Sequence, residues 1–218
     1  MILKNKIFKI TCDGGAATGK STGAKLIAKK YGLAMLSSGL LYRYASYILL
    51  KHKPKSKITF LKKKFRNLNY KKLNKINLHT SSISDYSAII AKNKHVRNIL
   101  KGCQKKFIHK NKGCVLEGRD ASTKILPNSD VKFYFICNLN IAAKRRYKEL
   151  KKKTNKIKLK EVKRAINKRN IMDMNRKISP LQKHDDAIVV NSGKLNKQEM
   201  VAKMSKYVET ALMTKYGK

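Results

Sequence analysis

The stretch IFKITCDGGAATGKST, residues 7–22, decides how the rest of the chain is read. Its first six residues form an apolar run that reads as a strand, and residues 20–30 carry the pattern of a helix. Between them the sequence satisfies G-x-x-x-x-G-K-[ST] through Gly14, Gly19, Lys20 and Ser21. The small residues Gly14, Gly15, Ala16, Ala17, Thr18 and Gly19 let backbone N–H groups wrap a polyphosphate, and the helix N-terminus adds positive potential. Lys20 would reach the β- and γ-phosphates, and the Ser21 hydroxyl, followed by Thr22, would help hold Mg²⁺. This is a strong signal for nucleotide binding, with Gly14 to Thr22 as the candidate contacts. It names neither the acceptor nor the reaction.

Length and composition narrow the class. A chain of 218 residues suits one α/β domain, and 42% hydrophobic content is enough for a core. No apolar run approaches the ~20 residues that span a bilayer, so no membrane partner is expected. The start reads as a first strand and not as a secretion signal. Cys12, Cys103, Cys114 and Cys137 show no CxxC spacing, and the five histidines form no metal-ligand pattern. Free thiols in a reducing cytoplasm are expected.

The formal net charge is +41, with no acid between Asp13 and Asp85. Such a field favours polyanions. Yet the 44 lysines are spread over the whole chain among abundant Asn and Ile, the trio that A/T-rich coding favours. Coding drift therefore competes with a selected nucleic-acid surface and is the preferred reading. Lysine runs at 62–64 and 151–153 are expected to be solvated faces. The scarcity of arginine says more. Where Lys is used nearly everywhere, an Arg marks a need for a planar, forked donor. The nine are Arg43, Arg66, Arg97, Arg119, Arg145, Arg146, Arg164, Arg169 and Arg176.

Further strands are expected at 33–36, 114–117, 131–137 and 187–190. Helices are expected at 39–50, over 81–110 in two pieces broken near 92–94, and at 141–153, 159–172 and 198–212. Residues 51–78 are basic and weakly periodic and carry no firm assignment. Strands alternating with helices imply a parallel sheet covered on both faces.

Four later segments bear on the acceptor: SSGLLYR (37–43), EGRDAST (117–123) followed by ILP (125–127), RNIMDMNRKISPL (169–181) and DDAIVVNS (185–192). With the phosphate cradle, and in this order over nearly the whole chain, they resemble the cytidylate kinase family of P-loop nucleoside monophosphate kinases. The family's usual forms are a D-[ST]-G-x-x-Y-R turn, a D-G-R-D turn, an R-x-x-x-D-x-x-R lid and an A-P-L…D-A ending. The resemblance implies a three-layer α/β/α P-loop fold with a five-stranded parallel sheet, a reduced acceptor-binding region and a helical lid. It implies a core at 1–50, 111–153 and 180–218, an acceptor region at about 51–110 and a lid at about 154–179. It also implies ATP with Mg²⁺ as donor, CMP or dCMP as acceptor, and a monomer. Ser38 and Arg43 match acceptor contacts, Arg43 on the phosphate, and Arg97 matches an arginine at the pyrimidine monophosphate site. Arg119 and Asp120 match the GRD turn, where the Asp lies near the acceptor sugar. Arg169 and Arg176 match the lid arginines that close on the transferring phosphoryl group, while Asp173 matches the lid Asp that contacts the sugar.

Chemistry supports the same residues without the family. Phosphoryl transfer asks for charge neutralisation and in-line alignment, which bidentate guanidinium groups supply. Arg169 and Arg176 are seven apart, so one helical face could aim both at one site with Asp173 between them. A surface ion-pair ladder would show the same spacing. Arg145 and Arg146 are open between the donor base and solvent, with solvent preferred for at least one; Tyr42 is open between packing and function. Asp13 is expected to brace the loop.

The chain also departs from the family pattern. Gly15 stands where Pro is usual, Ser37 where Asp is usual, and Glu117 replaces the first Asp of D-G-R-D. Ala88 falls where a base-reading Ser is expected, with Ser87 beside it, and His79 falls where Arg is common. The alternatives left open are a kinase for another monophosphate such as UMP or for a small metabolite, a nucleic-acid-stimulated P-loop ATPase, and a non-catalytic homologue.

Overall fold

Alternation along the first strand sorts the molecule into layers. In β1 (Phe8–Gly14), Phe8, Ile10 and Cys12 are buried on one face beneath α1 (Lys20–Tyr31) and α9 (Lys197–Tyr216). Phe133 and Phe135 of β4 (Val131–Ile136) join that layer with Val190 of β5 (Ile188–Asn191). Full burial of each such side chain contributes about 1.5–3 kcal/mol. On the opposite face, Leu36 of β2 (Ala34–Ser37) and Cys114 and Leu116 of β3 (Gly113–Glu117) pack against other helices. These are α2 (Ser38–His52), α3 (Lys57–Phe65) and α6 (Lys94–Lys110), through Leu41, Ile48, Leu61, Phe65, Leu100 and Phe107. The result is the expected three-layer α/β/α arrangement. It is seen in a computed structural model that describes residues 3, 6–73, 75–152 and 157–217.

All pairings are parallel and the strand order is β2-β3-β1-β4-β5. Cys12 and Ser37 both stand in register with Glu117, so three strand ends meet at one point of the carboxyl edge. Crevices at that edge are where parallel α/β sheets bind ligands.

The remaining helices are α4 (Tyr70–Leu73), α5 (Ser81–Ile90), α7 (Leu139–Lys151) and α8 (Leu159–Met174). Their ends follow local chemistry. Gly32, in the left-handed region, closes α1, while Asn93 starts α6 by accepting from His95 N and Val96 N. The break expected near 92–94 lies between α5 and α6 as read. The stretch 51–78 is more ordered than its sequence suggests. Leu61 and Phe65, one turn apart, anchor α3 on α6, and Tyr70 donates to Cys103 O at 2.7 Å. The expected helix over 141–153 ends at Lys151, and Lys153 with residues 154–156 lies outside the described residues. Among the described residues, no helix is long and apolar enough to cross a membrane.

Candidate active site

The cradle follows from the strand-to-helix turn. Gly14 adopts φ +149°, and a Cβ there would run into the Phe135 backbone, so only glycine fits. Ala17 and Gly19 also take positive φ, which curls the loop around its own N–H groups. Gly15 O accepts from Lys20 Nζ at 2.8 Å and from Thr18 Oγ1 at 3.0 Å. Ala16 N donates to Asn170 Oδ1 on α8 at 2.7 Å. The Thr18 carbonyl accepts from Ser192 Oγ at 2.7 Å, and Arg145 donates to the Ser192 carbonyl at 2.8 Å. Gly19, the N-cap of α1, gives it no side-chain cap, so the first N–H groups of α1 face the cleft without a side-chain acceptor. Ser21 and Thr22 lie exposed in that first turn.

Under the cradle, Lys20 is buried, with its Nζ 3.6 Å from Glu117 Oε1. Burial, with the Arg119 charge nearby, pulls its ammonium down to about 7 although Glu117 opposes the shift. Asp13 does not brace the loop itself, as the sequence suggested. Its carboxylate accepts from Ala121 N, Ser122 N and Ser122 Oγ at 2.9, 2.7 and 2.6 Å. It thereby fixes the π-helical turn Ala121–Ile125 that follows Asp120.

The acceptor side is assembled from side chains of several elements. Ser38, at the start of α2, is buried and accepts from Gln104 Nε2 of α6 at 2.7 Å. Arg43, one helical turn further on, lies 2.9 Å from His79 Nδ1. Burial and the neighbouring Arg119, Arg169 and Arg146 push Arg43 down to about 10. Arg97 of α6 binds Asp120 and donates to Ala91 O at 3.2 Å, with its guanidinium 5.6 Å from the Tyr42 ring centroid. Tyr42 is thus both packed and part of the site, and burial pushes its phenol up to about 12.

Arg119, Arg169 and Arg176 converge on one carboxylate. Asp173, 2% exposed, takes Arg119 Nε at 2.9 Å and Arg169 Nε at 3.1 Å on Oδ2, and Arg176 Nη1 at 3.3 Å on Oδ1. Burial alone would raise the Asp173 pKa, but the three guanidinium groups outweigh it and hold it below the usual range. Arg176 Nη2 lies 3.6 Å from Asp120 Oδ1, which ties the two carboxylates into one network. The expected common helical face is corrected here. Helix α8 ends at Met174, so Arg176 lies past it and donates to Ser179 O at 2.5 Å. It converges with Arg169 because the chain turns back, not because of helical spacing. Arg169 also reaches α5, donating to Ser84 O at 2.8 Å and Ser87 Oγ at 3.0 Å. Ser87 therefore serves Arg169 in this structure, and Ala88 is buried beside it. Arg146 pairs with Glu149 at 3.0 Å on the surface of α7, and Arg145 is exposed on the same helix while it bonds the Ser192 carbonyl, so solvent reaches both.

The cleft thus holds Lys20 and five guanidinium groups against Glu117, Asp120 and Asp173. That surplus of positive charge, in a partly desolvated place, fits a polyphosphate. So does Arg176 Nη2, which is buried without a hydrogen-bond partner. Of the residues expected from the sequence, Arg97, Arg119, Asp120, Arg169, Asp173 and Arg176 meet in one network of contacts, and Lys20 lies beside Glu117. The sequence reading gave no role to Asn170, Gln104 and Ser192: Asn170 and Ser192 fall inside the quoted segments at positions the family forms leave open, and Gln104 lies in none of them. Among the described residues, no group of three or more His, Cys, Asp or Glu side chains could hold a metal ion.

Comparison with known proteins agrees with this geometry. The family model for cytidylate kinase matches residues 10–210. A cytidylate kinase of Bartonella tribocorum is 35% identical over 196 residues, covering 88% of this chain and 89% of that protein. One of Clostridium tetani is 34% identical, covering 96% of this chain and 97% of that protein. One of Thermosipho melanesiensis is 35% identical, with 92% and 96% covered. Among solved structures, an uncharacterized protein of Eubacterium ventriosum shares the fold, with a TM-score of 0.57 at 13% identity over 93% of this chain and 99% of that one. So does TT1252 of Thermus thermophilus, at 0.53 and 13% over 95% and 99%. The phosphate cradle, the arginine network and the match along most of the chain lead to one conclusion: this protein belongs to the cytidylate kinase family.

Proposed function

We propose that the chain transfers the γ-phosphoryl group of ATP to CMP or dCMP, giving ADP and CDP or dCDP. The observation that carries this reading is one cleft with a backbone cradle on one wall and five guanidinium groups on the other. Gly14 to Thr22 would hold the donor, with Lys20 on its β- and γ-phosphates. Ser38, Arg43, Arg97, Arg119 and Asp120 would hold the acceptor, joined by Asp173. Arg169 and Arg176 would stabilise the charge in flight, Arg176 through the Nη2 that has no hydrogen-bond partner. The Ser21 hydroxyl would help hold a Mg²⁺ ion, which would supply charge neutralisation on the donor phosphates. In this reading the core is 1–50, 111–153 and 180–218, the acceptor region 51–110 and the lid 154–179. The chain works as a monomer, since residues of one chain complete the cleft, and in a reducing cytoplasm, where its free cysteines persist.

A coupled ADP-release assay tests the proposal, with ATP·Mg²⁺ against CMP, dCMP, UMP, AMP and shikimate. Turnover with CMP or dCMP above the rest is the expected result. Conversion of none of CMP, dCMP and UMP would sink the idea, and ATPase stimulated by RNA but indifferent to CMP would replace it. Arg176→Ala is expected to lower turnover by roughly 10²- to 10³-fold with ATP binding intact.

A further inference from the structure

Ser37 is the N-cap of α2, where a serine normally accepts a hydrogen bond from the first turn. Its hydroxyl makes no such bond. It donates instead to Glu117 Oε2 at 2.5 Å, across the register pair that joins β2 to β3. The other carboxylate oxygen, Oε1, stands 3.6 Å from Lys20 Nζ, beyond hydrogen-bond distance. Both partners are buried, with side chains 6% and 4% exposed. A carboxylate and an ammonium in such a place attract strongly and would ordinarily close to about 2.8 Å. Here they do not. Lys20 turns to the Gly15 carbonyl at 2.8 Å, and Glu117 is held from its far side by Ser37.

We infer that Ser37 is a positioning residue that holds the Glu117 carboxylate off Lys20, so that the ammonium stays available to the donor phosphates. Glu117 has three side-chain torsions, and without the Ser37 bond it is free to swing both oxygens onto Lys20. A closed Lys20–Glu117 pair competes with ATP for the same three N–H donors. The neglected cap of α2 is the local cost of preventing that closure. The inference rests on Lys20 binding ATP, as proposed above.

The test is the affinity of the full chain for ATP, by titration calorimetry, in EDTA and again with Mg²⁺. It compares the parent with Ser37→Ala, Ser37→Thr and Ser37→Ala/Glu117→Gln, with thermal melts of each. Ser37→Ala is expected to weaken ATP about tenfold, the scale of one hydrogen bond to a charged group. The loss should appear with and without Mg²⁺, because it concerns Lys20. Ser37→Thr keeps the hydroxyl and should bind within about twofold of the parent. Ser37→Ala/Glu117→Gln should regain most of the affinity, because a neutral amide does not compete for the ammonium. A role confined to α2 stability would lower the melting temperature of Ser37→Ala and leave the double variant as weak as the single one. That outcome overturns the inference, as does unchanged affinity in Ser37→Ala or a loss seen only with Mg²⁺. Should Ser37→Ala not fold, the ratio between the double variant and Ser37→Thr decides: near-equal affinities uphold the inference and a gap of tenfold overturns it. A parent chain that fails to bind ATP at all counts against the functional proposal instead.

Discussion

The two walls of the cleft are built on opposite principles. The proposed donor wall is nine consecutive residues whose backbone would do the binding, shaped by Gly14, Ala17 and Gly19 at positive φ. The acceptor wall is made of side chains from α2, α6, α8 and the turn after β3, held together by Asp120 and Asp173. A backbone cradle tolerates changes of side chain but not of conformation. A side-chain network tolerates changes of conformation at its edges but not the loss of a shared carboxylate. Lys20 and Glu117 lie where the two walls meet.

The sharpest way to break the comparison is Lys20→Met. Turnover should fall by roughly 10²- to 10³-fold in the ADP-release assay. The melting temperature at pH 7 should hold or rise, because a buried ammonium already pulled down to about 7 costs stability. A large drop in stability would mean that Lys20 also supports the fold.

Asp173→Asn should damage the acceptor wall most, by about 3–5 kcal/mol in urea unfolding near neutral pH, since it leaves buried arginines short of their shared carboxylate. The sign with pH is fixed by the depressed Asp173 pKa. Its stabilising contribution is complete above the unfolded carboxylate value near 3.8 and is lost as pH falls through the lower folded value. The gap between parent and variant should therefore close only in strong acid. A gap that closes already at pH 5 would place the contribution elsewhere.

Gly14→Ala probes the cradle by conformation alone. A Cβ there meets the Phe135 backbone at a φ that L residues avoid, so a loss of about 1–3 kcal/mol and weaker ATP binding are expected together. The smallest effect belongs to the lysine run. Lys62, Lys63 and Lys64 are exposed on α3, and their joint replacement by Gln should change unfolding free energy by no more than about 0.5 kcal/mol per site and leave turnover with CMP unaltered. A clear fall in turnover would give that surface a role in substrate capture.

The donor wall was legible because its information is contiguous: a strand, small residues and a lysine at fixed spacing. The arginines that converge on Asp120 and Asp173 were legible for a different reason, their rarity among lysines. What stayed hidden depends on register or on distant partners. Helix α3 buries Leu61 and Phe65, with Ile58 and Phe60 packed partly against the same core, too short a signal against the surrounding charge. Asn170 and Gln104 matter because α8 and α6 bring them to the loop and to Ser38. Ser37 and Glu117 read as two separate departures from a family pattern. They become one hydrogen-bonded pair only once β2 and β3 are known to be neighbours. Arg176 fell in the right place for the wrong reason, because helical spacing was carried past the end that the expected helix at 159–172 had already set, close to the observed one at Met174.

Consecutive residues on α8 grip the two walls separately. Arg169 holds Ser84 and Ser87 of α5, and Asn170 holds the N–H of Ala16 in the cradle. Side chains on adjacent helical positions cannot be withdrawn independently by a rigid movement of that helix. A rigid shift of α8 would therefore alter both contacts together, the Asn170 bond to the Ala16 N–H and the Arg169 bonds to α5.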